Sequence, residues 1–575
     1  MSPRPHPSTP VLGTSTTHHT WFGREGRPLF GAVHVPEGRR ATGAVVVCPP
    51  VGHEQTATQH GLRLLARELA DRGLLVLRFD YHGTGHSSGN SSEATVEGWL
   101  EDVEEAVRYV RSAGTRRVGL VGLRLGALLA AHAYERVGAE ELVLWDPVAS
   151  GRRYLREEQA RLRMTIGEVD QDPDRVALMG WSLPRTSVPA LRRLGLPEVT
   201  ERCVGIRTWA AIRPGGDGSL AELVRSLGGT VFDSVDSPDF VAPTEFVPVY
   251  PRRTLATLVD WYVTGREERG QVAVDPPIRT TAAVATAPDG HRVVERLRKI
   301  GPHGMFCVET TREGVEPPDA DIEIVFHSTA NDRCVGQGRM WPELAREFAA
   351  GGARCLRFDR RQIGESDCAA NGTFTPLYCH ENLEDIKLVD EDLVLPDGRR
   401  LHTGLSSGAW MSTKIALARP GTRLVALGPL MWSLEPRRVD ESVLVDRGWD
   451  LEFGRAPVHE SSPEPWKVTV KTLARTRMPY ALWRALARTG RVGCPEDMLR
   501  ALVEAGVDTT IVFPAGDRRV FELSRGSDAL RAVGESARAL DFRDLDGDLE
   551  DHVLLSLGYR NQTADVLRDV VAGMR

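Results

Sequence analysis

At 575 residues the chain is longer than one ordinary hydrophobic core organises, so two or more domains are expected. Its content of 41% apolar and 26% charged residues is that of a globular protein, and no run approaches the about 18 consecutive apolar residues needed to cross a bilayer. The net charge of −7 is spread along the chain with no basic stripe or polybasic patch, which disfavours nucleic acid and membrane surfaces as partners.

In chain order, residues 1–20 are rich in Pro, Ser, Thr and His and lack an apolar h-region; they are expected to be a disordered lead-in rather than a signal peptide. Ala44 to Cys48 reads as a buried strand. Leu65 to Ser87, LARELADRGLLVLRFDYHGTGHS, predicts an amphipathic helix, a Gly-containing turn, a buried strand ending in Arg-Phe-Asp, and a loop. Val118 to Ala131 predicts a strand, a Gly-x-x-x-Gly turn and an Ala-rich helix, and Glu141 to Trp145 a further strand. Residues 150–201 carry helical patterns and are expected to cap the strand ends. Charge, Pro, Thr and Ala then replace periodicity over 266–289, which reads as a linker.

The same series then recurs. Ile322 to Phe326 predicts a strand, and Leu344 to Ser366, LAREFAAGGARCLRFDRRQIGES, repeats the helix, turn, Arg-Phe-Asp strand and Gly/Ser loop at matching offsets. Leu401 to Met411 repeats the strand, Gly-x-x-x-Gly turn and helix, and Arg423 to Leu427 the following strand. Helical patterns over 433–506 predict a second cap, holding or flanked by Trp432, Trp449, Trp466, Tyr480 and Trp483. These aromatic residues suit an apolar pocket wall or simple core packing. A strand at Thr509 to Phe513, a short run around Leu540 and a terminal helix complete the copy. Strands alternating with helices imply a mostly parallel sheet covered on both faces, so the chain reads as two tandem α/β domains, 21–265 and 290–575. Two copies joined by a short linker are expected to pack as an intramolecular pseudo-dimer, with self-association of the whole chain left open.

A Gly-x-Ser-x-Gly between a strand and a helix is a nucleophile elbow: small neighbours let a serine occupy a strained turn with its hydroxyl above a helix N-terminus. Gly404-Leu-Ser406-Ser-Gly408 fits this context. Gly85-His-Ser87-Ser-Gly89 matches the spelling but lies in a loop after the Arg-Phe-Asp strand. In the first copy Arg124 stands at the elbow position. A guanidinium stays protonated and cannot attack a carbonyl, and no histidine occurs between His132 and His291. Arg124 is expected either to pair with Asp80, Asp146 or another carboxylate, or to bind a substrate carboxylate or phosphate.

With these motifs quoted, both halves resemble α/β-hydrolases, specifically the small hydrolases that accompany exosortase systems. Cys48-Pro-Pro-Val-Gly-His-Glu, Leu77-Arg-Phe-Asp and Gly122-Leu-Arg-Leu-Gly-Ala are similar to one branch, in which Arg replaces the nucleophile. Arg296-Leu-Arg-Lys-Ile-Gly-Pro, Leu356-Arg-Phe-Asp and Gly404-Leu-Ser-Ser-Gly-Ala are similar to another. The resemblance implies an α/β-hydrolase fold in each half and a triad in the order Ser, acid, His. In the second copy these would be Ser406 as nucleophile, Asp517 after the Thr509 to Phe513 strand as acid, and His552, the only histidine after Asp517, as base. The oxyanion donors would be the N–H of Ser407 and one from the loop after Phe326, placed at Thr329; His327-Ser328 there departs from the usual His-Gly. Plainer readings stand beside these: Ser406 as a helix N-cap, His552 as a surface histidine, and Asp517 as a turn residue with Glu435, Asp546 or Asp551 as the acid.

The expected function is therefore hydrolysis of an ester, thioester or amide of a small or carrier-linked metabolite by the second copy, with a degenerate first copy. Acyl transfer by the same serine, a non-catalytic binding or scaffold protein, and carbanion chemistry using His53, His82 or His86 are the alternatives. Eight scattered cysteines without CxxC spacing imply a reduced, cytoplasmic chain, and neither a metal nor an organic cofactor is expected.

Overall fold

Apolar residues at successive positions, facing alternately up and down, build two sheets. The structure, a computed structural model, describes residues 14–167, 172–196, 206–242, 250–264, 266, 270–366, 377–436, 478–489 and 492–575. Among these, the first sheet comprises Thr16–Arg24 (β1), Arg27–Val35 (β2), Ala44–Cys48 (β3), Leu75–Phe79 (β4), Val118–Leu123 (β5), Glu141–Trp145 (β6), Arg207–Ile212 (β7) and Thr230–Asp233 (β8). Their spatial order is β1-β2-β4-β3-β5-β6-β7-β8. β1, β2 and β4 pair antiparallel, and every pairing from β4 onward is parallel.

Helices cover both faces, which is why the central strands are almost wholly apolar. Val45, Val47, Val76, Val121 and Val143 pack with Leu62, Leu65 and Leu69 of helix α1 (His53–Asp71). Val46, Leu77, Leu120 and Leu142 point the other way, into a core shared with Trp99 and Val103 of α2 (Val96–Ser112) and Leu128 of α3 (Leu125–Val137). Over the strand ends stand helix α4 (Gly151–Ile166), a hairpin pairing Arg175–Leu178 with Trp181–Pro184, and a short helix Val188–Arg193.

The second sheet comprises Thr281–Thr286 (β9), Arg292–Ile300 (β10), Met305–Arg312 (β11), Glu323–His327 (β12), Arg354–Phe358 (β13), Arg400–Leu405 (β14), Arg423–Leu427 (β15), Thr509–Phe513 (β16) and Leu540–Asp544 (β17). Its order is β9-β10-β11-β13-β12-β14-β15-β16-β17. Leaving out β9, this is the first order repeated strand for strand, with parallel pairing from β13 to β17. Helices α5 (Met340–Ala350), α6 (His380–Asp390), α7 (Ser407–Ala418), α8 (Ala515–Leu523) and α9 (Leu557–Ala572) belong to this copy. Two antiparallel strands leading into a parallel sheet whose third and fourth strands exchange places is the α/β-hydrolase arrangement, present twice. The chain divides into two compact units, one built on Met1–Leu162 and Gln171–Arg298, the other on Lys299–Ala369 and Phe374–Arg575.

The repeated Arg-Phe-Asp…Gly…Ser frame is a backbone clamp. Asp80 Oδ2 accepts the His86 N–H at 2.8 Å, while Ser87 Oγ donates to the Asp80 carbonyl at 2.5 Å and accepts the Phe30 N–H at 2.9 Å. Asp359, Glu365, Ser366 and Phe306 make the same three bonds at 2.8, 2.5 and 2.8 Å. Gly85 and Gly364 have positive φ and lie so close that a Cβ would be 2.1 Å from the carboxylate oxygen in each copy.

Composition misled at two places. Thr16 to Thr20, assigned to the lead-in, is the first half of β1, with Thr20 fully buried, because β2 supplies a paired partner. Thr281–Thr286, inside the expected linker, is β9, paired with β10 from Thr281↔Arg296 to Thr286↔Arg292. Of the second cap, 437–477 and 490–491, with Trp449 and Trp466, lie outside the described residues; helices Tyr480–Arg488 and Glu496–Glu504 are described.

At the centre of the second sheet, His327 Nε2 lies 3.0 Å from His402 Nδ1, both rings fully buried. Burial pushes His402 down to about 3, and burial, with His402 and Arg360 nearby, holds His327 well below the usual histidine value. Both are therefore neutral in the folded state, and protons bind the unfolded chain first, so this stability is present above about pH 6.5 and is lost as the pH falls towards 3. In urea titrations across that window, His402→Gln is expected to show a shallower loss of unfolding free energy than wild type, by on the order of 3 kcal/mol. Equal slopes would show that the pair does not govern acid stability.

Candidate active site

The second elbow is forced by close packing. β14 ends at Leu405 and α7 begins at Ser407, leaving Ser406 at φ 55°, ψ −113°, a conformation costing a non-glycine residue on the order of 1–3 kcal/mol. Its N–H donates to the Leu427 carbonyl at 2.9 Å. A Cβ on Gly404 would come within 2.6 Å of the Gly408 backbone, and one on Gly408 within 2.5 Å of the His327 carbonyl, so both glycines of the motif are sterically required. The Ser406 hydroxyl makes no N-capping hydrogen bond to α7. Tyr378, a residue unmarked in the sequence, is buried just before α6, with its ring edge-on to Trp410 of α7 at 5.5 Å.

Asp517 and His552 meet. Asp517 sits in the first turn of α8, just beyond β16, with its side chain fully buried; His552 lies in the loop between β17 and α9. His552 Nδ1 is 2.9 Å and 2.8 Å from Asp517 Oδ1 and Oδ2. An ionised carboxylate only accepts, so Nδ1 carries the proton and Nε2 is left as the basic nitrogen. Gly428, after β15, has φ 51°, and a Cβ there would be 2.2 Å from Asp517 Oδ2 and 3.4 Å from His552 Nδ1. The absence of a side chain at Gly428 is what lets the acid reach the base. Asp551 instead accepts the N–H groups of Leu555 at 2.8 Å and Ser556 at 2.6 Å, fastening the histidine loop at Leu554, whose φ is 58°. Asp546 and Glu435 are exposed.

The loop after β12 is pinned beside the elbow. Ala330, at φ 40°, donates its N–H to Ser407 Oγ at 2.8 Å, and the fully buried Arg360 donates to the Ala330 carbonyl and to Asn382 Oδ1. Thr329, preceding it, is buried, and its carbonyl accepts the Asp332 N–H at 3.0 Å. Ser407 is the first residue of α7, so its own N–H has no acceptor within the helix.

The first elbow has the same backbone. Arg124 stands at φ 55°, ψ −120°, its N–H donating to the Trp145 carbonyl at 3.0 Å; a Cβ on Gly122 would be 2.4 Å from Ala127, and one on Gly126 2.2 Å from the Cys48 carbonyl. The chemistry differs. Arg124 Nε donates to Glu54 Oε1 at 2.7 Å, and its other nitrogens lie 3.8 Å from Asp146 Oδ2 and Glu157 Oε2. Asp146, at φ 44°, occupies the place that Gly428 takes in the second copy, and Arg213 Nε donates to it at 2.6 Å. The ion-pair alternative for Arg124 thus describes the arrangement, with Asp146 as one partner; Asp80 is engaged in the loop clamp and accepts from Gln55 at 2.7 Å. Glu54 went unnoticed, although pairing of Cys48 with Gly122 places Cys48-Pro-Pro-Val-Gly-His-Glu beside the elbow.

His53, Glu54 and Glu158 bring possible metal-ligand atoms within 4.8 Å of one another. His53 Nε2 accepts from Arg161 at 3.2 Å, however, which leaves the proton on Nδ1, 3.2 Å from Glu158 Oε2, and two guanidiniums already balance the carboxylates. Ser87 is fully buried in its clamp and His86 packs edge-on against Phe30.

No protein-family model matches the chain, and no curated protein matches it. Solved structures do. Est1E from Butyrivibrio proteoclasticus with ferulic acid bound is 16% identical, with 37% of this chain and 88% of that chain covered and a TM-score of 0.30. The thioesterase domain from the curacin biosynthetic pathway is 15% identical, with 43% and 100% covered and a TM-score of 0.30. An esterase of Pyrococcus furiosus is 16% identical, with 44% and 97% covered and a TM-score of 0.30.

Removing the guanidinium would strand the buried Glu54 carboxylate. Arg124→Ala is expected to lower unfolding free energy in urea by about 3–5 kcal/mol, and adding Glu54→Gln to recover part of that loss. A loss below about 1 kcal/mol would show that Arg124 is not the counter-ion.

Proposed function

We propose that the protein is a serine hydrolase whose second copy cleaves an ester, thioester or amide of a small or carrier-linked metabolite. In this reading Ser406 is the nucleophile, His552 the general base and Asp517 its orienting acid, with the N–H groups of Ser407 and Thr329 as oxyanion donors. The observation that carries it is the His552–Asp517 pair, closed around the side-chain-free Gly428, in the same copy as a serine on a strained elbow. Asp517 fixes the tautomer that presents Nε2 as a base, and Ser406 loses its proton to that nitrogen as its oxygen bonds to the acyl carbon. The leaving group takes the proton, and water then repeats the sequence on the acyl-enzyme. Because the Ala330 N–H is taken up by Ser407 Oγ, the preceding N–H, that of Thr329, is the donor assigned to the loop.

The first copy is read as a pseudo-hydrolase, its nucleophile and base positions given over to the Arg124 ion network. The repeated Arg-Phe-Asp frame and the two elbow spellings support kinship with exosortase-associated hydrolases. A reducing, cytoplasmic setting fits the buried thiols of Cys48, Cys307, Cys334, Cys355 and Cys379.

Intact-mass analysis after treatment with a fluorophosphonate is expected to give one adduct on wild type, none on Ser406→Ala, and an unchanged adduct on Ser87→Ala. No adduct on wild type, or one surviving in Ser406→Ala, would overturn the assignment. Gly428→Ala drives a methyl into Asp517 and is expected to slow labelling by about 100-fold or more while the fold persists. Wild-type labelling of that variant would show that the Asp517–His552 contact is not needed.

A further inference from the structure

Resting on the reading of Ser406 as nucleophile and the Thr329 N–H as a donor, we propose that Arg360 is a positioning residue that, with the Ser407 hydroxyl, aims that N–H at the oxyanion. Three observations converge on it.

The first is a buried cation without a carboxylate. Arg360 is 1% exposed, yet among the described residues it makes no ion pair. It donates to Asn382 Oδ1 and to the Ala330 carbonyl, both neutral, and its Nε has no partner. Asp359, its neighbour in sequence, accepts the N–H groups of Cys334 at 2.6 Å and Glu365 at 2.8 Å. Asp385, on the same helix as Asn382, accepts the Arg361 N–H at 2.9 Å and its Nε at 2.7 Å. Arg354, also buried in this copy, is by contrast met by Glu309, Glu323 and Asp392. An unpaired buried guanidinium is costly, so a residue that served packing alone would be apolar or paired.

The second observation is what the guanidinium holds. Ala330 has φ 40°, where a residue with a Cβ is strained, and relaxation to negative φ would turn a flanking peptide and re-aim the Thr329 N–H. Both polar groups of Ala330 are fastened: its N–H donates to Ser407 Oγ at 2.8 Å, and its carbonyl accepts a charge-assisted bond from Arg360. The Thr329 carbonyl accepts the Asp332 N–H at 3.0 Å, while the Thr329 N–H has no acceptor among the described residues. Ala330 thus links the loop donor to Ser407, whose own N–H is the other donor.

The third is the comparison within the chain. Cys48 pairs with Gly122 as His327 pairs with Gly404, so Pro49 and Pro50 stand where the second copy has Ser328 and Thr329. Proline has no N–H to offer. Leu125 takes the place of Ser407 as the first residue of its helix, and Tyr81, after the clamp residue Asp80, takes that of Arg360. Loop donor, hydroxyl anchor and buried cation are present together beside the serine and absent together beside the arginine.

In the reaction, the Ser406 Oγ–acyl carbon bond forms as the hydroxyl proton passes to His552 Nε2, and the carbonyl π pair moves onto oxygen. The Thr329 and Ser407 N–H groups donate to that oxygen and keep their protons. When the carbonyl re-forms, the leaving group departs with the proton from His552. Arg360 touches neither substrate nor oxyanion; it keeps Ala330 in place during acylation and deacylation alike.

In pre-steady-state hydrolysis of p-nitrophenyl butyrate by the full chain, normalised to fluorophosphonate-titrated sites, Arg360→Gln and Ser407→Ala are each expected to slow both acylation and deacylation. The expected loss is about 10- to 100-fold, with substrate binding nearly unchanged. Normalisation confines the comparison to folded enzyme, and Ser407→Ala reaches the same loop without disturbing the buried charge. Trifluoroacetophenone labelled with carbon-13 at its carbonyl reads the oxyanion itself: Ser406 adds to that carbon, and the pKa of the hemiketal, followed by NMR, is expected to rise in both variants. Wild-type rates in either variant, or slowed rates with an unchanged hemiketal pKa, would overturn the proposal. Absence of a Ser406 adduct on wild type would bring down the parent reading instead, and this one with it.

Discussion

Everything at the two elbows depends on one steric constraint: a parallel strand must turn into a helix that packs back on the sheet within about 3 Å of backbone. Gly404 and Gly408, like Gly122 and Gly126, are where a methyl group would collide with backbone rather than with a movable side chain. The residue between them is driven to φ near 55° whatever it is. Arg124 shows that this strain is a property of the crossover rather than of catalysis, since a guanidinium gains nothing chemically from it. The elbow presents a side chain and a helix N-terminus to the space above the sheet, and the side chain alone decides the chemistry.

Around that shared backbone the two copies balance charge differently. In the second, Gly428 clears the way for Asp517 to pair with His552, leaving a basic nitrogen and a neutral hydroxyl. In the first, Asp146 occupies the cleared position itself, Arg124 and Arg213 answer it, and Glu54 takes the guanidinium's best-aligned donor. Both arrangements pair buried charges, but only the second leaves an uncharged hydroxyl at its elbow. The Arg124 network is also self-limiting: Glu54 is fully buried, so replacing the arginine by serine would leave that carboxylate without this counter-ion, while Asp146 would keep Arg213.

The parts of the fold that repeat were legible in the sequence because they obey local rules. The Arg-Phe-Asp strand and its Gly/Ser loop recur since Asp80 and Asp359 each clamp the same N–H through the same glycine. The order of Ser406, Asp517 and His552 along the chain could be read before their side chains were placed. β1 and β9 could not: Thr-rich segments are strands only when a neighbour pairs with them, and composition carries no such information. Tyr378 and Glu54 were obscure for a related reason: one lies in a loop and the other in the first turn of α1, their neighbours are set by strand order, and nothing in the immediate sequence marks them.

Strand order also explains why a site can be rebuilt on one flank without disturbing the other. The segments after β12 and β13 carry Thr329 and the buried Arg360; those after β16 and β17 carry Asp517 and His552; β14 lies between the two flanks. The first copy, with Arg124 at its elbow, has the same helix start, because N–H groups there persist under any side chain except proline. A helix start of this kind keeps an affinity for negative charge, and a carboxylate from the protein itself is one way to satisfy it. Glu54, which follows β3 as the oxyanion loop follows β12, stands where that attraction would place one.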